Sequence, residues 1–381
     1  MKRASVHETA AGSIPLMRPL LPDAQALLPY LRRIDERRHY TNFGPLVEEL
    51  RDRLERAQGQ LDGKTVHGVL TGNATQGLEL ALAAMDLPPS SKVVIPALTF
   101  PASATAVQRC GHLPVAADVD THTWLLTPDQ LPEQPKRQGI AAVMPVSAFG
   151  MPQDAQAWSE WSARTGVLVL IDAAAAFGAQ KTAPGVMAVF SLHATKALSC
   201  GEGGLVVTRD AKQAQRLRAM TNFGIGLAHT SLASNAKMSE YHAAIGLAHL
   251  AMWSEQVQAR RRVLERYSHA LGPVLGTRLQ LQQDTGLHAP SVLPVRLESG
   301  ALRDRLEHQC QAQGVQTRRW YQPLIHQHPA LGPLELLSPL VVAPSLAETL
   351  LGLPFFPDLC DADMDRVVAL VREVVNGPMR T

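Results

Sequence analysis

Cysteine is scarce in this chain: four residues in 381, at positions 110, 200, 310 and 360, none near another. With no Cys-x-x-Cys pair there is no zinc or redox signature, and the scatter suits reduced thiols better than a disulfide framework. Long hydrophobic runs are missing too, none approaching the roughly 18 residues of a membrane helix. The opening MKRASVHETAAGSIPLMRPLLP has two basic residues but no apolar stretch of signal-peptide length. Neither charge sign dominates, with 36 Lys and Arg against 34 Asp and Glu, and aromatics make up only 5%. No basic stripe interleaved with aromatics is present, so neither a nucleic-acid surface nor a membrane partner is expected. The basic cluster RRR at 260–262 falls in a helical pattern and reads as a solvated face. Fourteen histidines include no HExxH, and the closest pair, His326 and His328, lies in a proline-flanked loop, so no metal is expected. What remains is a cytoplasmic globular protein, long enough for one large core and a smaller domain.

What is present is a rhythm. VHGVL (66–70), KVVIPA (92–97), LPVAADV (113–119), IAAVMPV (140–146), VLVLID (167–172), VMAVFSL (186–192) and GGLVVT (203–208) are strand-like runs. Helical stretches separate several of them, such as ATQGLELALAAM, with Leu78, Leu82 and Met85 on one face. Runs apolar at every position, spaced by helices, indicate a mostly parallel sheet covered on both faces, an α/β architecture. From Ser239 a helical period continues for more than 25 residues and is read as one long helix bridging two domains. SVLPVRL, VQTRRW and DADMDRVVALVREVV then suggest a smaller α+β domain, with irregular connections over 323–357. The expected division is 1–255 for an N-terminal arm and large domain and 256–381 for the small domain.

Four features at strand ends carry the chemistry. Lys196, in FSLHATKALSCGEGG (190–204), follows a strand and precedes glycines that would let the backbone crowd against a ligand. Asp172 closes an otherwise apolar strand; it is either a helix N-cap or a carboxylate holding a cationic ring nitrogen. TGNATQG (71–77) joins strand to helix, and amides at a helix N-terminus bind phosphate. Phe100, just past another strand end, could stack on a planar ring. A phosphate, a flat ring, a ring nitrogen needing an anion and a lysine together describe pyridoxal phosphate (PLP).

Over nearly its whole length the chain resembles the DegT family of PLP-dependent sugar aminotransferases. The likeness runs from NFGPLVEEL (42–50) to LPFFPDLCDADMDRVV (353–368). The resemblance implies the aspartate aminotransferase fold: a three-layer large domain with a mostly parallel sheet, plus a small α+β domain. By the match of motifs, Lys196 would carry the cofactor and Ser191 would touch its phosphate. Asn73, Ala74 and Thr75 would offer phosphate-binding amides, Asp172 would meet the ring nitrogen and Phe100 would stack on the ring. SNAKMSEYHAAIGLAHL resembles the family's NxRMsE stretch, whose asparagine, here Asn235, reaches the neighbouring subunit's phosphate; this implies a homodimer with shared sites. Lys237, Tyr321 and His326 are the expected substrate contacts, within a sugar site formed by TNFGP, GIGLAHTS and RRWYQPLIHQHP. Three positions depart from the family pattern: Ala175 for a polar residue, Ser147 for histidine, and Lys237 for an arginine that could clamp bidentately.

The resemblance implies transfer of an amino group, usually from glutamate, to a nucleotide-linked keto-deoxysugar. Sugar dehydratases of the same fold are the alternative, but the deoxygenating ones carry histidine where Lys196 stands, and their lysine-retaining relatives carry iron–sulfur cysteines absent here. A cyclic non-sugar ketone is the other alternative substrate. An intact set of Lys196, Asp172 and Ser191 argues against a non-catalytic scaffold.

Overall fold

The computed structural model describes residues 12–226, 232–282 and 290–377. Two helices open it, α1 (Ala24–Arg37) and α2 (Pro45–Asp62). Strands and helices then interleave: β1 (His67–Thr71), α3 (Ala74–Ala83), β2 (Lys92–Pro96), α4 (Pro101–Arg109), β3 (Leu113–Ala117), β4 (Ile140–Val143), α5 (Ala155–Thr165), β5 (Leu168–Asp172), β6 (Val186–Ser191), β7 (Gly204–Thr208) and α6 (Ala211–Met220). Next come α7 (Glu240–Ala251), α8 (Trp253–Leu271), β8 (Leu279–Leu281), β9 (Leu293–Leu297), α9 (Gly300–Ala312), β10 (Glu335–Leu336), α10 (Val342–Thr349), β11 (Leu350–Leu353) and α11 (Asp361–Asn376). Each of the seven expected apolar runs overlaps one of β1–β7.

The main sheet has the order β1-β7-β6-β5-β4-β2-β3-β10. Its pairs are parallel except that β7 runs antiparallel to both β1 and β6. Side chains alternate between its faces, as the two-residue period of a strand demands. Val93 and Ile95 of β2 point to a core shared with Leu78 and Leu82 of α3, while Val94 points to the opposite core with Leu50 of α2 and Trp158 of α5. Both faces are covered by helices, which is why these strands are apolar at every position. The parallel strands end together, so Pro96, Asp172 and Ser191 fall at one edge of the sheet, where α/β folds collect ligands.

A second, three-stranded antiparallel sheet, β11-β9-β8, packs with α8, α9 and α11 around a further core that includes Tyr267, Leu306 and Val371. Ile14, near the N-terminus, is buried in the same core and bridges to Val315.

Several expectations are corrected. The long helix from Ser239 is two helices, broken at Met252 (φ −97°, ψ 1°). The break lets α7 stay buried against the main sheet's core while α8 reaches the second core. VQTRRW forms no strand, only isolated bridges at Val315 and Arg318. The stretch 323–357 is not wholly irregular, because it holds β10, α10 and β11. Arg260 of the basic cluster is buried: it lies on the inward stripe of α8 with Gln256, Val263 and Tyr267, at helical spacing.

Candidate active site

The loop after β6 carries the lysine and is pinned at its base. Leu192 N–H donates to Gly203 O (2.9 Å), Ala194 N–H to Gly201 O (2.8 Å) and Cys200 N–H to Leu192 O (2.8 Å). From below, the buried His249 accepts the Ser199 N–H at Nδ1 (3.0 Å). The glycines that follow crowd against protein rather than a ligand. A Cβ on Gly204 would lie 2.4 Å from Thr71 Oγ1 and 2.6 Å from the Asn73 carbonyl atoms, so β7 packs tightly under the β1–α3 turn.

That turn is built by Asn73, the N-cap of α3. Its Oδ1 accepts from Gln76 N–H (2.9 Å), its carbonyl accepts from Gly77 N–H (3.2 Å) and from the Thr71 hydroxyl (2.8 Å). The amides of Ala74 and Thr75 are the first-turn donors left over for an anion.

A cavity of about 440 Å³ opens over these elements. Asn73, Ala74 and Thr75 line it at one end, Lys196, Asp172 and Ser191 at its floor, with Phe100 and Tyr321 also in its wall. Phe100 is 56% exposed although apolar, an orientation that makes sense for a ring awaiting a partner. Asn235, Lys237 and His326 do not line the cavity. Lys237 Nζ donates to the side-chain oxygens of Asn222 (2.8 Å) and Asn235 (2.6 Å) and sits 5.3 Å from the Phe223 ring. Asn235 is exposed, and His326 has a buried Nδ1 with no hydrogen-bond partner among the described residues. Of the expected sugar-site stretch GIGLAHTS, residues 227–231 lie outside the described residues.

Burial sets the electrostatics. Asp172 is 4% exposed, and loss of water pushes its carboxyl above the usual range; the Ser103 hydroxyl, the Ala174 amide and the Lys196 charge oppose that rise. Lys196 is pushed below the ordinary lysine range by burial, against an upward pull from Asp172. That shift moves the amine toward its neutral, nucleophilic form. Asp172 is no helix cap: the chain after it turns rather than coiling, with Oδ1 accepting from Ala174 N–H at 3.1 Å.

Of the lining residues, sequence reasoning missed Phe149 and placed Arg318 and Trp320 only within the stretch RRWYQPLIHQHP. Phe149, held at φ 60°, stacks on Tyr321 (centroids 5.4 Å apart, 10° between planes) and lies 5.9 Å from Trp320. Arg318 also lines the cavity, whereas its neighbour Arg319 pairs with Glu307 and Asp304. The tandem RRWY was a usable signal, since adjacent residues on an extended segment face opposite ways. The departures have visible consequences: Ala175 presents only a methyl to the cavity, and Ser147 Oγ donates to Gln180 Oε1 (2.8 Å).

A mostly parallel three-layer sheet with a lysine, a buried carboxylate and free helix-end amides around one cavity defines a PLP-dependent transferase. The residues fit that cofactor: two unclaimed amides and Ser191 for its phosphate, Phe100 for its ring, Asp172 for its nitrogen and Lys196 for its aldehyde. The sequence profile of the DegT/DnrJ/EryC1/StrS aminotransferase family matches residues 23–372. The chain belongs to that family and is an aminotransferase whose cofactor is pyridoxal phosphate. GDP-perosamine synthase of Caulobacter vibrioides is 33% identical over 322 residues, covering 81% of this chain and 86% of that protein. The structure of DesI with its TDP-sugar product superposes with a TM-score of 0.85 at 33% identity, covering 96% and 93% of the two chains. A PLP-dependent aminotransferase from Bacillus cereus superposes with a TM-score of 0.88 at 25% identity, covering 94% and 99%.

Proposed function

We propose that the protein transfers an amino group from glutamate to a nucleotide-linked keto-deoxysugar. The carrying observation is the pairing of Asp172 with a lysine of lowered pKa on the floor of a cavity walled by Phe149, Trp320 and Tyr321. Such aromatic walls suit the apolar face of a sugar ring. The relatives add weight, since one makes GDP-perosamine and another was captured with a TDP-sugar.

When bound, PLP supplies an electron sink and a carrier for the amino group. Asp172 keeps the cofactor's ring nitrogen protonated. The amides of Ala74 and Thr75 and the Ser191 hydroxyl hold the phosphate, and Phe100 covers the ring. Lys196 Nζ takes the proton from the donor's Cα, and in the second half-reaction delivers a proton to the carbon that was the sugar ketone. Its lowered pKa serves both steps, because the neutral amine accepts and its conjugate acid then donates.

The active unit in this reading is a cytoplasmic homodimer with shared sites. Asn235 and Lys237 stand outside their own chain's cavity, beside the exposed apolar side chains Phe223 (61%), Ile225 (69%) and Leu232 (44%). A second copy covering this face would bury the apolar surface and bring Asn235 to the partner's phosphate site. The substrate test is a screen of cofactor-loaded enzyme with glutamate against nucleotide 3-keto and 4-keto sugars, read by mass. One of them should gain the mass change of a carbonyl becoming a primary amine. Amination of cyclic non-sugar ketones, with none of the nucleotide sugars converted, would overturn the reading.

A further inference from the structure

The carboxylate that meets the ring nitrogen is held by a side chain that the cavity itself does not contain. Ser103 Oγ, on α4, donates to Asp172 Oδ2 at 2.8 Å and contacts Thr99 Oγ1 at 3.0 Å. Both hydroxyls are buried, at 0% and 1% exposure. Proton counting fixes the direction of the chain. A carboxylate only accepts, so the single Ser103 proton goes to Asp172 and the Ser103 oxygen must accept from Thr99. The other acceptor near the Thr99 hydroxyl, Phe100 O, is 3.5 Å away. Among the described residues Ser103 is the only side chain hydrogen-bonded to Asp172. Ser147 is tied to Asp172 through its backbone, its N–H donating to Asp172 O at 2.9 Å, but its hydroxyl is committed to Gln180.

Packing alone gives no reason for a hydroxyl here. Position 103 is the third residue of α4, buried like Ala104, Ala106 and Val107, and an alanine there would carry no polar group to desolvate. The Ser103 hydroxyl proton goes across to β5 rather than to a backbone carbonyl of its own segment.

We propose that Ser103, backed by Thr99, is a positioning residue that keeps the Asp172 carboxylate ionised and aimed at the cofactor's ring nitrogen. The proposal rests on the role given to Asp172 above. Two donors in series polarise one another and concentrate their effect on Oδ2. This opposes the burial that favours the neutral acid, which could not serve as counter-charge to a protonated ring nitrogen. The other titratable groups that bear on Asp172 are Lys196, in the loop after β6, and Tyr321, in the segment between α9 and β10.

The test uses the full-length holoenzyme with Ser103→Ala, Ser103→Thr, Thr99→Val and Asp172→Ala, reading cofactor dissociation, thermal melting and the pH at which the cofactor's visible band titrates. Losing one hydrogen bond to a charged group weakens cofactor binding by about tenfold or more in Ser103→Ala. The titration should also move to higher pH, because a less protonated ring withdraws less charge from the bound lysine nitrogen. Ser103→Thr should restore both, and Thr99→Val should shift both the same way by less. Wild-type affinity and titration in Ser103→Ala and Thr99→Val, or a lowered melting temperature with no titration shift, would overturn the proposal. If Asp172→Ala itself binds cofactor normally, the role of Asp172 has failed and the proposal falls with it. If Asp172→Ala is impaired and Ser103→Ala is not, only the proposal falls.

Discussion

Replacing Gly204 with alanine probes the turn that would seat the phosphate without replacing a residue that lines the cavity. The new Cβ would stand 2.6 Å from the carbonyl carbon and oxygen of Asn73 and 2.4 Å from Thr71 Oγ1. Ordinary contact needs about 3.5 Å, so the turn must retreat by on the order of 1 Å. Backbone cannot yield as a flexible side-chain tip does, and overpacking of this kind costs about 1–3 kcal/mol. The same retreat carries the amides of Ala74 and Thr75 away from the phosphate. Loss of about one charge-assisted hydrogen bond there loosens the cofactor roughly tenfold. Denaturant unfolding of the cofactor-free protein reads the first effect, and cofactor dissociation reads the second. Gly300→Ala is the control: Gly300 is the first residue of α9, and its new Cβ would come no closer than 3.4 Å to another segment, an ordinary contact, so alanine should be close to neutral. A Gly204→Ala protein as stable as this control, with unchanged cofactor affinity, would refute the reasoning.

Asp172→Ala should fold, bind PLP weakly and lose at least about a hundredfold in turnover with glutamate, as removal of a preorganised charge partner does; near-normal turnover would mean that another group holds the ring nitrogen. Cofactor loading needs the neutral Lys196 amine, so its rate should rise with pH through a midpoint below that of an ordinary lysine. Asp172 pulls that pKa upward, so Asp172→Asn should move the midpoint lower still; an upward move contradicts the pairing. Inactive Lys196→Ala and inactive Asn235→Ala subunits, mixed and re-paired, should regain activity, because one site of each heterodimer holds both native residues. Proven re-pairing without activity would exclude the shared site.

The sheet was legible because its strands are buried on both faces, which leaves unbroken apolar runs such as VLVLI before Asp172. The cavity floor was legible for a related reason: a charged or hydroxyl residue closing such a run has nowhere to go but the sheet's carboxyl edge. Other features have no local signature. The hydrogen bond from Ser103 to Asp172 joins residues 69 positions apart, and a serine on a small-residue helix looks like filler. The break at Met252 is invisible because apolar periodicity continues on both sides while the burying core changes. Arg260 was hidden in a charged run, since composition cannot say which of three arginines faces inward. The lysine's glycines were legible as a need for close approach, but not as to what approaches: the partner is the Asn73 turn.

The central claim is that Lys196 carries the cofactor. Borohydride reduction of the PLP-loaded protein, followed by peptide mapping, tests it most directly. The expected result is a single stable pyridoxyl label on the peptide containing Lys196, with loss of the yellow colour and none of that label in Lys196→Ala. A label on another lysine, or no label in protein that demonstrably holds cofactor, would contradict the account.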